Sequence, residues 1–372
     1  MNSVIADRMS LIDSSGIRKV FALASKLKNP INLSIGQPHF DVPEEIKKAA
    51  IQAIQNGLNK YTLTQGIPEL RGKIKAQQKE KRNISLEEIM ISSGTSGLLL
   101  LAFMCLINPG DEVIIFDPYF VMYKHLVRIV GGVPVFIDTY PSFNIPVDKI
   151  EGVISKKTKI IVINSPCNPT GAVYSKDQLK NLADIAAKHN ILIISDEIYN
   201  EFVYGEDSIS IAEIYENTLV LNGFSKTYAM TGWRLGWAGG PKWLLDEMIK
   251  LQQYTFVCAP SIVQYSGLKA MDYNTAHLID SYKEKRDLMY NGLKDYFEIL
   301  KPEGAFYMFV KIPNGVTDEK FINEAVKNNL LVIPGSVFSE RNTHFRICYA
   351  AENKVLYKGI EILQNLSRKQ YV

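Results

Sequence analysis

Cysteine is scarce in this chain of 372 residues: there are four. Cys105, Cys167, Cys258 and Cys348 stand far apart with no C-x-x-C pair, which argues against a zinc site or a disulfide framework; no metal site is expected. An excess of charge of one sign is missing too. Lys and Arg number 42 against 39 Asp and Glu, a net of +3, whereas a dedicated nucleic-acid binder carries a strong basic excess. The densest basic cluster, Lys156, Lys157 and Lys159, reads as a solvated face. Long apolar runs are also lacking. LLLLAFMCLI falls short of the ~18 residues that a membrane span requires. The opening MNSVIADRMSLIDSSG has no apolar core of a signal peptide, so a reducing cytoplasm is the expected location. The 24 glycines follow no three-residue period, which excludes a collagen-like fibre, and no internal repeat points to a solenoid.

What remains is ordinary globular composition, 47% apolar and 22% charged, which excludes disorder for most of the chain. At roughly 100–200 residues each, the length suggests two or three domains. The first ~30 residues read as a helix or arm, with Asp13 or Ser14 as a cap before IRKVFALASKLK. A short strand in INLSIGQPHFDVP runs into a loop, and Pro43, Glu44 and Glu45 open a helix that Gly57 stops. From residue 89 short apolar runs alternate with helical stretches: IMISSG, DEVIIFD, VPVFID, KIIVINS, ILIISD, TLVLNG and RLGWAGG. Near-continuous apolar runs are expected of strands buried on both faces of a mostly parallel sheet. Near residue 275 the pattern changes to a long polar helix, strands in FYMFVKI and HFRICYA, and a helix around DEKFINEAVKNN. The fold class expected is α/β: a large three-layer α/β/α domain with a mostly parallel sheet over 41–275, and a smaller α+β domain made of 276–372 with the arm of 1–40 packed on it.

Ligands of open α/β sheets gather beyond the C-terminal ends of the strands. After IMIS comes Ser93-Gly94-Thr95-Ser96-Gly97, where small residues and a helix N-terminus suit an anion; a plain strand-to-helix turn is the alternative. After KIIVINS comes Pro166-Cys167-Asn168-Pro169-Thr170-Gly171. After ILIIS comes Asp196-Glu197-Ile198-Tyr199. After LVLNG comes Phe224-Ser225-Lys226, followed by Arg234. Lys226 sits among apolar neighbours, where burial disfavours its ammonium form. A phosphate turn, an Asn, an acid, a Tyr, a Lys and an Arg at successive strand ends meet one known requirement, that of pyridoxal phosphate.

The sequence resembles the class I aminotransferases of the aspartate aminotransferase family, within the fold type I pyridoxal-phosphate enzymes. The resemblance runs from about Ser34 to Ala350 through NLSIGQPHFDVP, KYTLTQGIPELR, ISSGTSG, DPYFVMY, NSPCNPTG, SDEIY, NGFSKTYAMTGWRLGW, EGAFYMFV and FRICYA, in that order. It implies pyridoxal 5'-phosphate as cofactor, joined to Lys226 as an aldimine, with Lys226 also moving the substrate proton. Asp196 would pair with the ring nitrogen, and Tyr199 and Asn168 with the ring 3-oxygen. Phe120 would stack on the ring, Gly94, Thr95, Ser96 and Arg234 would hold the phosphate, and Tyr61 would reach the phosphate of a neighbouring subunit. Arg346 would grip the substrate α-carboxylate, with Asn168 and Gly36 beside it. As a planar fork, an arginine suits that carboxylate as lysine does not. Near the end of an apolar strand it needs an anionic partner, native or substrate.

Two departures stand out. Gly223 stands where some members carry a phosphate-binding serine, which weakens one phosphate contact, and Ser96 stands where members specialised for acidic substrates carry lysine. With no motif for a second carboxylate-binding arginine, strict dicarboxylate specificity is in doubt. The implied reaction is transfer of an amino group from an L-amino acid (aspartate, aromatic or neutral) to a 2-oxo acid such as 2-oxoglutarate, by a homodimer with shared active sites, with Lys226 neutral because nearby cations depress its pKa. Tyr254 and Phe256 of LQQYTFVCAPS, with Ile17 of the arm, are expected to line the distal pocket. A β-elimination or C–S lyase on the same scaffold is the alternative; a non-catalytic regulator domain is disfavoured by the near-neutral charge. The five histidines match no catalytic motif.

Overall fold

A computed structural model describes residues 4–13, 16, 27–205 and 208–369. The expected helix in IRKVFALASKLK and the cap at Ser14 lie outside the described residues. The centre is a seven-stranded sheet in the order β2-β8-β7-β6-β5-β3-β4. Its strands are β2 (Glu88–Ser92), β3 (Glu112–Asp117), β4 (Val133–Asp138), β5 (Thr158–Asn164), β6 (Leu192–Asp196), β7 (Thr218–Gly223) and β8 (Gly236–Gly240). Strands β4, β3, β5, β6 and β7 run parallel, while β8 is antiparallel to both β7 and β2. The apolar runs mark these strands because both faces are covered: every residue of β6, β7 and β8 is buried. Ile114, Ile161 and Ile193 face one apolar layer and Ile115, Val162 and Ile194 the other, the alternation of a pleated strand.

Helices follow local signals. α1 (Glu44–Gln55) begins after Pro43 with two acidic residues in its first turn and ends at Asn56 before Gly57, whose φ is +76°. Acids at the N-terminus and a left-handed glycine past the C-terminus are what a helix favours. α2 (Pro68–Arg82) buries Leu70, Ile74 and Gln78 along one stripe. α3 (Gly94–Leu106) starts directly after β2 and is buried along most of its length. Further helices are α4 (Met122–Ile129), α5 (Lys176–Lys188) with a capping box of Ser175 and Gln178, α6 (Lys242–Gln252) and α7 (Ser261–Ala270). The sequence pattern did not single out α2, α6 or α7.

Beyond α8 (Ala276–Leu293) the sheets are small. β11 (Ile333–Pro334), β12 (His344–Cys348) and β9 (Tyr307–Lys311) form an antiparallel sheet, and β1 (Ile31–Asn32) pairs with β10 (Leu330–Leu331) in parallel. α9 (Asp318–Lys327) and α10 (Asn353–Ser367) cover them. β1 pairs within this smaller unit, and the 3-10 turn Asp7–Leu11 lies against α4 of the large unit.

One buried ion pair braces the end of β6. Glu197 is 2% exposed and accepts from Arg82 at the end of α2, from Ser195 Oγ at 2.9 Å, and from Ser210 Oγ. Removing one partner of a buried pair strands the other charge. Arg82→Met is expected to lower unfolding free energy by about 3 kcal/mol, measured by urea titration; a loss below ~0.5 kcal/mol would show that Glu197 does not depend on it.

Candidate active site

The C-terminal ends of β2, β5, β6 and β7 converge on a cavity of about 310 Å³ that residues of the smaller unit close, a volume suited to a small molecule. Lys226, Asp196, Tyr199, Asn168, Phe120, Thr95, Ser96, Arg234, Gly36 and Arg346 all border it.

At its floor, Asp196 accepts a hydrogen bond from Tyr123 Oη at 2.7 Å and from the Ile198 amide at 3.3 Å. Asn164 donates to the Asp196 carbonyl at 2.8 Å and accepts from the Asn168 amide at 2.8 Å, so one side chain ties the two strand ends together. Burial raises the Asp196 carboxyl to about 6, against the opposing pull of Tyr123 and Ile198. Lys226 Nζ donates to the Gly36 carbonyl at 2.7 Å. Its pKa falls to about 8, chiefly through burial, with Arg346 and Arg234 adding to the fall. The cations expected to depress it are there, but they contribute less than desolvation does. A Cβ at Gly36 would collide with the Tyr307 hydroxyl, so glycine lets the chain pass over the cavity.

Arg346 is 1% exposed. Its Nη1 donates to Asn168 Oδ1 at 2.9 Å and its Nη2 to the Ser34 carbonyl at 2.8 Å. The guanidinium lies 4.5 Å from the ring centroids of both Tyr307 and Phe338, and Nε is buried with no partner among the described residues. Among the described residues it forms no ion pair, so the expected native anion is not found. Tyr199 Oη shares a 2.7 Å hydrogen bond with Tyr307 Oη, and burial lifts its pKa well above the usual value.

At the opposite end Thr95 and Ser96 open α3 beside Arg234, whose Nη1 donates to the Thr231 carbonyl at 3.0 Å. Arg234 has φ +57° and Gly94 φ +74°. A Cβ at Gly94 would sit 2.7 Å from Arg234 Nη2, so only glycine leaves the helix N-terminus and the guanidinium side by side. That is a place for an anion. Phe120 forms a wall, edge-on to Tyr123 at 5.7 Å.

Gly94, at the start of α3, does not itself border the cavity. Tyr61, expected to serve a neighbouring subunit, is 85% exposed and outside this chain's own cavity. Tyr254 is 83% exposed and Phe256 packs toward α3 beside Gly97; neither borders the cavity. Ile17 falls outside the described residues. No histidine borders the cavity; His39, for example, meets Tyr282 Oη at 3.1 Å. Tyr123, Asn164, Tyr307 and Phe338 belong to the site and were not singled out. The first three sit within the motifs DPYFVMY, NSPCNPTG and EGAFYMFV, whereas nothing in GSVFSE marked Phe338.

The family model for aminotransferase class I and II matches residues 28–361. The chain is 38% identical to the probable aspartate aminotransferase of Methanocaldococcus jannaschii, over 98% of this chain and all of that one. It is 36% identical to aromatic-amino-acid aminotransferase 2 of Thermococcus litoralis, over 98% and 99%. The chain belongs to the class I and II aminotransferase family. The solved aspartate aminotransferase of Thermus thermophilus with maleate superposes with a TM-score of 0.94 at 32% identity, covering 98% of this aminotransferase and all of that chain. The fold is that of the fold type I aminotransferases, and the protein is an enzyme of amino-acid transamination; the lyase alternative is not favoured.

The two buried titrating groups of this aminotransferase give opposite pH dependences. Asp196 is raised from 3.8 to about 6, so the folded chain binds more protons in that window and stability falls as pH rises through it. Lys226 is lowered from 10.5 to about 8, so the unfolded chain binds more protons and stability rises between those values. In the cofactor-free protein, Asp196→Asn is expected to remove roughly 2–3 kcal/mol of the fall between about pH 4 and 6, and Lys226→Met to flatten the alkaline rise. Urea titrations across pH check both; pH profiles unchanged from the parent would contradict the assigned shifts.

Proposed function

We propose that this aminotransferase uses pyridoxal 5'-phosphate to move an amino group from an L-amino acid, aspartate, aromatic or neutral, to a 2-oxo acid such as 2-oxoglutarate. The observation that carries the reading is Arg346: a buried guanidinium with an unpartnered Nε and no acidic partner among the described residues. Substrates of transamination bring the missing charge as an α-carboxylate, and a buried cation left unpaired is costly.

The residues present fit the cofactor. The anion site of Thr95, Ser96 and Arg234, with Gly94 leaving room beside the guanidinium, would hold its phosphate, and Phe120 the face of its ring. Asp196 would meet the ring nitrogen, Asn168 and Tyr199 the 3-oxygen, and Lys226 the aldehyde carbon. When bound, the group supplies an electron sink that makes the Cα–H bond of an amino acid acidic. Asp196 supports this by keeping a negative charge beside the ring nitrogen at neutral pH, above its own pKa of about 6. Lys226, at about 8, is nearer to neutral pH than a solvated lysine and accepts the Cα proton as general base. Gly36 and Asn168 orient substrate beside Arg346.

The donor range follows from the arginines: only Arg234 and Arg346 border the cavity among the described residues. Relatives named for aspartate and for aromatic amino acids bracket the same range. We infer a homodimer in which Tyr61 serves the partner's phosphate site, supported by the exposed Tyr61, Leu63, Tyr254 and Val257. We also infer a large domain over 41–275, a small one from 1–40 and 276–372, and a reducing cytoplasmic location, which four free cysteines favour.

The purified protein with pyridoxal phosphate is expected to show a visible absorption band that bleaches with L-aspartate, L-tyrosine, L-alanine or L-methionine. Lys226→Ala is expected to lose turnover entirely. A band absent after incubation with the cofactor, or substantial transamination by Lys226→Ala, would overturn the assignment. Activity per chain is expected to fall as sedimentation velocity shows dissociation to monomers; full activity of monomers would remove the shared site.

A further inference from the structure

The phenyl ring beneath Arg346 is held from outside the cavity. Phe338 is fully buried and follows the 3-10 turn Gly335–Val337. The three residues after it, Ser339 to Arg341, make a run of polar contacts with the large unit. The Tyr119 amide donates to the Phe338 carbonyl at 2.8 Å. Tyr140 Oη bonds Ser339 Oγ at 2.9 Å. The Glu340 amide donates to Asp117 Oδ2 at 3.0 Å. Tyr119 Oη and Lys124 Nζ each donate to Glu340 Oε1 at 2.6 Å, and Arg341 pairs with Asp138. Tyr119 and Ser339 are both 3% exposed, so the Tyr140–Ser339 contact is shielded, while Glu340, which Tyr119 and Lys124 both reach, is 44% exposed. None of these residues borders the cavity, although Phe120, next to Tyr119, does.

We propose that Tyr119 and Tyr140 are positioning residues for carboxylate recognition: their hydroxyls clasp Ser339 and Glu340 and thereby hold Phe338 against the guanidinium of Arg346. The inference rests on the reading of Arg346 as the carboxylate grip. Without the clasp, Phe338 loses its fixed distance from the guanidinium, and Arg346 loses the face that orients it toward Asn168. Amino donor and oxo-acid acceptor share the α-carboxylate, so both are affected alike. The carboxylate is held in ground state and transition state together, and loss of such uniform binding appears in KM rather than kcat.

The test is steady-state kinetics on the holoenzyme of Tyr119→Phe/Tyr140→Phe, which removes two hydroxyls and leaves both rings; Tyr119 keeps its stack on Phe136 at 5.0 Å. KM is expected to rise about fivefold for donor and acceptor together, the scale of losing buried hydrogen bonds, with kcat within about twofold. Lys124→Met, which removes only the outer ion pair, is expected to leave both constants unchanged. Arg346→Lys, measured beside them, separates the two readings. If it leaves KM unmoved, the carboxylate assignment falls and the clasp falls with it. If it raises KM while the double variant changes only melting temperature, or only kcat, the clasp is merely structural and the proposal is overturned.

Discussion

A buried positive charge without a counter-ion among the described residues is the constraint around which this molecule is arranged. Arg346 is held by one side-chain carbonyl, one main-chain carbonyl and two aromatic faces, and these come from distant parts of the chain. Asn168 lies on the loop after β5, Ser34 on the strap that crosses the cavity, Tyr307 on β9, and Phe338 on the segment before β12. Neutral partners lower the cost of burying a cation without cancelling its charge. The site is thereby built to favour an anion, and the favourable field exists before any ligand arrives.

The same exclusion of water acts on two groups of opposite sign. It lifts the Asp196 carboxyl and lowers the Lys226 amine, because a low-dielectric setting disfavours whichever form is charged. Two residues whose ordinary values lie far apart are brought within about two units of each other, on either side of neutrality. The fold reaches this by local means: Asp196 is the last residue of a strand buried on both faces, and Lys226 follows the turn after the neighbouring one.

The sheet was legible because its strands are apolar on both faces, so each run of Ile, Val and Leu stood out, and its chemistry was legible because strand ends collect it. The orientation of β8 was not, since RLGWAGG reads alike in either direction. α2 was missed because only Leu70, Ile74 and Gln78 of its fifteen residues are buried, and one of those is polar. Tyr123 and Tyr307 look like core aromatics in sequence; their hydroxyls matter only once Asp196 and Tyr199 lie beside them. Phe338 had no mark because its role is to face another residue's charge. Tyr254 and Phe256 were placed at the pocket by family position alone, and in the single chain one is exposed and the other packs toward α3.

The antiparallel pairing of β2 with β8 at the sheet's edge imposes an order on the birth of the molecule. Among the described residues β2 pairs only with β8, Glu88 opposite Gly240, so two partners about 150 residues apart must find each other. The turn that opens α3 and bears Gly94, Thr95 and Ser96 hangs from β2. On the ribosome the parallel strands from β3 to β7 can assemble as they emerge, each beside one already made, but β2 waits with both edges unpaired until the glycine-rich β8 arrives. Long-range pairing of this kind is slow, and an unpaired strand is a template for the wrong neighbour. The anion-binding end of the cavity is therefore among the last parts of the large sheet to exist, and a chain arrested before residue 240 has Asp196 and Lys226 without it.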